Sequence, residues 1–331
     1  MAAPTIGLLV NPAAGRDVRR LTGGATVSDT YGKRRAAECV LAGVDLADDP
    51  VDIVVAPDGG EIGQRTVEEA DGANVRLLEM PVGGTSADTR RAAERFREVV
   101  DAVVVFGGDG TTRDLAVEIG DVPVLAVSTG TNNVVPTPVD GTVAGAAAAF
   151  LATDAVDSEA VTYRHTMVEA SVDDGRSIRG LATVGIVDQS FVGTRAVLDP
   201  DDFLGGGVSR AGRGEVGLSG VAGALTRVDP ADGRGVALEL DADADRSVPA
   251  ITVPGVVERV GVREWSHLDP GEEHGFEVEE AVVSVDGERE LEVQHAAIDV
   301  RPVRDGPRLV DFEAVFEAAP LAADARAAER R

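Results

Sequence analysis

Cysteine, lysine and aromatic side chains are scarce in this chain. Cys39 is its only cysteine, so no intrachain disulfide can form, as suits a reducing compartment. On a helix face, that cysteine reads as a small core residue. Aromatics make up 3% of the 331 residues, so any core must rest on Val, Leu, Ile and Ala. Lys33 is the only lysine, and every other base is arginine. No apolar run reaches the ~18 residues of a membrane span. The start, MAAPTIGLLVNPAAG, has no basic segment ahead of an apolar run too short for a signal peptide, so a cytoplasmic protein is expected. No G-x4-G-K-[ST] occurs, which excludes the P-loop NTPases. His165, His267, His274 and His295 lack the spacing of a zinc pair and have no cysteine cluster beside them, so structural or surface roles are expected. Ser219, in GLSGVAG, misses the G-x-S-x-G nucleophile elbow by one flanking residue.

Acid is what the chain has in excess. Asp and Glu number 58 against 31 bases, for a formal net charge of −27. A basic partner would account for this, and so would a well-hydrated surface suited to high salt. The acids are spread through the chain rather than gathered in a block, which points to the second and to a halophilic protein. Strong salt screens the self-repulsion of such a surface. The same charge argues against nucleic acid and anionic membranes as partners.

Length and a 44% hydrophobic content allow two domains, each with its own core. The first half carries five short apolar runs: Thr5–Val10, Val51–Ala56, Val75–Met80, Asp101–Phe106 and Val122–Ser128. They alternate with helical stretches such as Lys33–Val44 and the Ala-rich Val139–Ala152. Continuous apolar strands separated by helices predict a parallel sheet covered on both faces. After about residue 155 come short, alternating, β-branched segments, VTYRHTMVEASV and RELEVQ among them, which predict an antiparallel sheet or sandwich. A helix is expected within Gly214–Arg227, and another from Asp311, a candidate cap, with a frayed end. The expected division is 1–154 (α/β), 155–310 (β-sandwich) and 311–331 (helix and tail).

Each early strand leaves its carboxyl end through a Gly, Pro or Asn turn, and ligands of open α/β sheets bind at that edge. Ordinary turn chemistry would put glycine there as well. The fourth turn stands out. VVVFGGDGTTRDLA, from Val103 to Ala116, stops a strand at Gly107 and Gly108 and restarts as a helix. Glycines let a ligand approach the backbone, and amides at a helix start favour phosphate. Asp109 does not suit a phosphate cradle. It can accept a proton from an attacking hydroxyl, hold magnesium on a nucleotide, or simply cap the helix. Companion turns offer Asn11, Pro12 and Gly15 after the first strand, and Gly83, Gly84, Thr85 and Ser86 after the third. Gly110 and Thr111 complete the fourth, and the fifth presents Thr129, Gly130, Thr131, Asn132 and Asn133. Much later, Asp286 and Glu288 sit in VSVDGERELEV, where Asp-Gly is also the commonest hairpin signal. GKRRAAE, Gly32–Glu38, gathers Lys33 and two arginines near a helix start, where the dipole disfavours cations. A bound anion such as a triphosphate or a plain solvated face would explain it.

NP-x-AG after the first strand, FGGDGTTRD after the fourth and STGTNN after the fifth resemble the NAD kinase / diacylglycerol kinase superfamily. The nearest likeness is to its predicted ATP–NAD kinase branch, which includes acetoin catabolism protein X. The resemblance implies an N-terminal α/β domain, a C-terminal antiparallel β-sandwich and a site in the cleft between them. It implies an NAD kinase, transferring a phosphoryl group from ATP or polyphosphate, with Mg2+ or another divalent cation, to the 2′-hydroxyl of NAD to give NADP. Asp109 would be the base, and the GGDGT turn would handle the donor phosphates. It further implies a homo-oligomer. Typical NAD kinases carry an Asn–Glu pair after the next strand, where this chain has Asn132–Asn133. Lipid kinases of the superfamily carry a DGE motif, matched by Asp286-Gly287-Glu288, which leaves a diacylglycerol-type kinase as an alternative. A nucleotide-binding regulatory protein without catalysis is the other.

Overall fold

The computed structural model describes residues 3–14, 28–70, 74–130, 132–188 and 202–320. Gly15, Thr131 and the end expected to fray lie outside the described residues.

Strands β1 (Thr5–Val10), β2 (Asp52–Val55), β3 (Val75–Leu77), β4 (Ala102–Gly107) and β5 (Val124–Ser128) run parallel in the order β3-β2-β1-β4-β5. All six positions of β4 are buried, because alternate side chains enter different cores. Val104 and Phe106 join Ile6 and Leu8 on one face, while Val103 and Val105 join Phe96 and Leu115 on the other. Two faces to cover explain why these strands read as unbroken apolar runs. Helices α1 (Thr30–Gly43), α2 (Ile62–Glu68), α3 (Ser86–Val99), α4 (Asp109–Ala116) and α5 (Gly141–Ala152) provide the cover. Strand order reverses between β1 and β4, and the crevice where ligands of open α/β sheets bind lies outside the carboxyl ends of strands at such a point.

Ten of the twelve residues of α5 are buried, so it needs partners on more than one side. One is α1, which approaches so closely that a methyl on Gly145 would collide with the Val40 carbonyl. Cys39, on α1, is partly buried. Another is α7 (Phe312–Ala318), whose Phe316 meets Phe150 edge to face at 6.1 Å. Asp311 caps α7 as expected, accepting from the Glu313 and Ala314 amides at 3.0 and 3.1 Å.

Sheet membership departs from the expected division of the chain. Strands β6 (Thr162–Arg164) and β16 (Arg308–Val310) extend the first sheet to seven strands, ending β5-β16-β6. VTYRHTMVEASV is thus broken at His165, where the chain changes sheets. Between these crossings lie β7 (Met167–Val172), β8 (Ser177–Gly180), β9 (Thr183–Val187), β10 (Phe203–Val208), β11 (Gly235–Leu240), β12 (Ser247–Val253), β13 (Val256–Leu268), β14 (His274–Val285) and β15 (Glu288–Val303). They form one nine-stranded antiparallel sheet in the order β12-β13-β11-β10-β9-β14-β15-β7-β8. The sheet folds over on itself: a methyl on Gly207 of β10 would run into Val300 of β15 and Val168 of β7. This is the expected sandwich, made from a single sheet. Helix α6 (Gly217–Leu225) lies inside the expected span and packs into the core around Leu238 and Val260. Among the described residues no helix is long and apolar enough to cross a membrane.

Candidate functional site

The GGDGT turn sits at the crevice. Gly107 ends β4, and Gly108, the residue before α4, has no side chain with which to cap that helix. Gly108 has φ −113°, so left-handed backbone is not what demands glycine here. Crowding is: a methyl on Gly107 would lie 2.5 Å from Thr111 Cβ, and one on Gly108 would lie 2.7 Å from Asn133 Oδ1. Neighbouring turns lock onto this one. Asn11 Nδ2 donates to Thr111 Oγ1 at 2.7 Å, and the Thr129 amide donates to the Gly107 carbonyl at 3.1 Å. Pro12 stands 2.8 Å from where a methyl on Gly60 would be. The turns after β1, β2, β4 and β5 therefore form one contiguous surface.

Lys33 reaches that surface from α1. It is buried, and its ammonium donates to the carbonyls of Pro12 at 2.9 Å and Ala14 at 2.6 Å. Its arginine neighbours meet acids: Arg34 pairs with Glu38 at 3.3 Å and Glu69 at 3.2 Å, and Arg35 pairs with Glu38. The cluster of bases at this helix start is thus explained by loop carbonyls and carboxylates, without a bound anion. A similar internal solution appears after β3. The Gly83 and Gly84 amides donate to the Asp88 carboxylate at 2.9 and 2.6 Å. Burial works against charge on Asp88, but those amides and Arg91 outweigh it and hold its carboxyl below the ordinary range. Thr85 precedes α3 without a capping bond from its side chain, and Ser86 begins the helix.

Asp109 is buried and fixed in direction. Its Oδ2 accepts from the Val134 amide at 2.9 Å and its Oδ1 from the Val135 amide at 2.8 Å. The loop after β5 is thereby drawn over α4. Within that loop Asn133 turns inward, its Nδ2 donating to Ser128 Oγ at 2.6 Å and to the Gly130 carbonyl at 3.3 Å. Asn132 instead lines a cavity.

The antiparallel sheet supplies the opposite wall. Asp286 and Gly287 form the expected hairpin turn between β14 and β15, with φ of 50° and 81°. Asp286 Oδ1 accepts from the amides of Ala182 at 2.8 Å and Thr183 at 3.1 Å. Its Oδ2 accepts from the Leu181 amide at 2.9 Å and from Arg113 Nη1 at 3.3 Å. Four donors saturate a carboxylate, so Asp286 fastens the structure and is not placed to take a proton. Glu288 is half exposed, and its carboxylate oxygens lie 3.7 and 3.8 Å from where a methyl on Gly110 would be. The DGE turn thus faces the first turn of α4.

Arg113 joins the two walls of the candidate site, and sequence reasoning missed it. It follows Asp109 by one helical turn and so shares its face. Beyond Asp286 it reaches Glu290 at 3.1 Å and Glu288 at 3.8 Å. Burial opposes its charge, yet Asp286, Asp114, Glu290 and Glu288 keep its pKa above the ordinary value. The available signal was a base inside FGGDGTTRD in a chain so short of bases.

Beside this junction lies a cavity of about 90 Å³. Asp109, Asn132, Asp286 and Gly287 border it on one side, and Phe203, Val216, Leu218, Val221, Leu240 and Val260 supply its apolar wall. No histidine lines it. His165 is fully buried, with Nε2 donating to the Leu181 carbonyl at 3.0 Å, and burial pushes its pKa down to about 4. His267 bonds Thr226 and His274 bonds Glu239. Ser219 is buried in α6. No group of three or more His, Cys, Asp or Glu among the described residues could hold a metal by itself.

Residues 6–155 match the family model described as the ATP-NAD kinase N-terminal domain. Residues 166–305 match that of the acetoin catabolism protein X C-terminal domain. Acetoin catabolism protein X of Cupriavidus necator is 31% identical over 305 residues, which are 87% of this chain and 84% of that one. The chain belongs to the acetoin catabolism protein X family. A solved diacylglycerol kinase from Bacillus anthracis strain Sterne is 15% identical, with a TM-score of 0.45 over 95% of this chain and 99% of that one. In this member of the acetoin catabolism protein X family, Asp109 and Arg113 come from the first matched segment and Asp286 and Glu288 from the second. The candidate site draws on both segments.

Proposed function

We propose that this crevice transfers a phosphoryl group from ATP to a hydroxyl acceptor. One observation carries the reading: the GGDGT turn and the DGE turn face each other where the two units meet, beside a cavity. Phosphoryl transfer asks a protein for positioning, charge neutralisation and an oriented hydroxyl. The start of α4, with its dipole and a glycine at the cap position, suits the donor phosphates. The turn after β1, locked to it through Asn11 and Thr111, extends that surface. Polyphosphate would present the same groups. Magnesium is commonly held by one or two carboxylates together with substrate phosphates. Asp109 and Glu288 fit that pattern, and the ion would neutralise phosphate charge. Asp109, fixed by two amides at the cavity wall, is the group to receive the acceptor's proton.

Two acceptors fit, each with its own support. The 2′-hydroxyl of NAD, giving NADP, is supported by the ATP-NAD kinase match over 6–155. An alcohol with an apolar body is supported by the apolar cavity wall and by Asn133, which turns its amide inward where an acid would stand in NAD kinases. Incubating the full chain with magnesium and ATP or polyphosphate, plus either NAD or diacylglycerol, separates them by product. Nucleotide binding without turnover would instead indicate a regulatory protein. The surroundings that go with the reading are the cytoplasm of a high-salt cell and a homo-oligomer, which light scattering in molar salt would test.

A further inference from the structure

We propose that the cavity holds the body of the phosphoryl acceptor, and that this body is apolar and short, about four carbons on the scale of a ~150 Å³ apolar cavity that holds benzene. The proposal rests on reading the crevice as a phosphotransferase site, and it names the substrate class. Lining, volume and position support it.

The wall is built from Phe203, Leu218, Val221, Leu240 and Val260. Three hydroxyl side chains also line it, those of Thr183, Thr252 and Ser284, and two are engaged elsewhere: Thr252 Oγ1 donates to Glu258 at 2.8 Å, and Ser284 Oγ donates to the Gly185 carbonyl at 3.3 Å. Asp286 is saturated, as described. Such a surface rewards hydrocarbon and offers little to the amide and ribose groups of a dinucleotide. Volume then sets the length of what the space itself can hold: about 90 Å³ takes a short hydrocarbon, and a dinucleotide or a long acyl chain would have to extend beyond it. Position sets the orientation. Asp109 and Asn132 border the same cavity, so an alcohol seated with its carbons against α6 turns its hydroxyl toward Asp109 and the start of α4. In the step that follows, the acceptor O–H bond breaks and its proton passes to Asp109. The acceptor oxygen forms a bond to the γ-phosphorus, the bond from that phosphorus to the bridging oxygen breaks, and ADP leaves. The product is the phosphate monoester of a short apolar alcohol.

The test uses the full chain and a series of 1-alkanols of two to eight carbons. Binding is read by saturation-transfer NMR, and turnover by ADP release with magnesium and ATP. Affinity should rise about fourfold per added methylene, peak near four carbons and then fall. Val221→Phe, which fills the cavity, should weaken alkanol binding at least tenfold. Leu218→Ala, which enlarges it, should move the optimum to longer chains and serves if Val221→Phe fails to fold. No optimum, or an optimum that neither variant moves, overturns the cavity assignment. NAD phosphorylation that 1-butanol does not inhibit also overturns it while leaving the phosphotransferase reading intact. Alkanol binding with the expected optimum but no ADP release, with alkanols, NAD or diacylglycerol, overturns the acceptor role together with that reading.

Discussion

Arg113 Nη1 lies 3.3 Å from Asp286 Oδ2, and this contact joins the helix after the GGDGT turn to the hairpin of the DGE turn. Both side chains are almost wholly buried. Removing one partner of a buried ion pair costs about 3–5 kcal/mol, because the other charge is left without compensation. Arg113→Met should therefore lower unfolding free energy by about 3 kcal/mol. Asp286→Ala should cost more, since the Leu181, Ala182 and Thr183 amides lose their acceptor together. Denaturant unfolding in high salt measures both, and a milder effect at Asp286 would contradict its anchoring role.

Two of the tasks assigned to Asp109, taking the acceptor's proton and anchoring a loop, can be separated. In Asp109→Asn one oxygen becomes an NH2, which faces a backbone donor in place of accepting from it. Loss of the proton acceptor should reduce kcat by about 10²- to 10⁴-fold. Loss of one loop anchor should reduce stability by about 1–3 kcal/mol. Wild-type turnover in a destabilised variant would leave Asp109 a purely structural residue.

Lys33 holds the Pro12 and Ala14 carbonyls, and so shapes the turn assigned to the donor. Lys33→Met should raise the KM for ATP roughly tenfold, the loss of about one charged hydrogen bond, with kcat and the acceptor KM little changed. Equal effects on donor and acceptor would show that the lysine supports the fold in general.

His165 makes stability depend on pH. Its folded-state pKa is pushed down to about 4, against an ordinary value near 6.5. Above pH 6.5 both folded and unfolded forms are neutral, and its contribution is constant. As pH falls from about 6.5 to about 4, the unfolded chain takes up a proton that the native protein refuses, and stability drops by up to about 3 kcal/mol. Unfolding midpoints across that window should show the slope, and His165→Phe should flatten it. Asp88 and Glu169 are carboxyls held below their ordinary range, so their contributions are lost only at still lower pH.

A net charge of −27 should make the fold salt-dependent. The screening length shrinks from about 10 Å at 0.1 M to about 3 Å at 1 M, so Tm should climb steadily with KCl over that range. A flat profile would remove the case for a halophilic protein.

What the sequence made legible was local. GGDGT announces a strand, a turn and a helix within one stretch, and Asp286-Gly287 announces a hairpin through its own backbone preference. Contacts between distant residues were not legible. Nothing beside Arg113 says that its partner lies in the other unit. Nothing beside Gly83 says that Asp88 will fill its amides. Strands β6 and β16 are three residues each, too short for a period to declare which sheet they join.

Those two short strands have a consequence for how the molecule can be changed. The chain leaves the parallel sheet after β6 and returns to it at β16, so everything between is a cassette held at two neighbouring stems. A fragment cut at residue 154 would lose the edge strands and the closing helix of its own layer. A graft that exchanges the cassette at both stems would keep the parallel-sheet half whole and bring in a different cavity wall, provided the new hairpin still offers Arg113 a carboxylate.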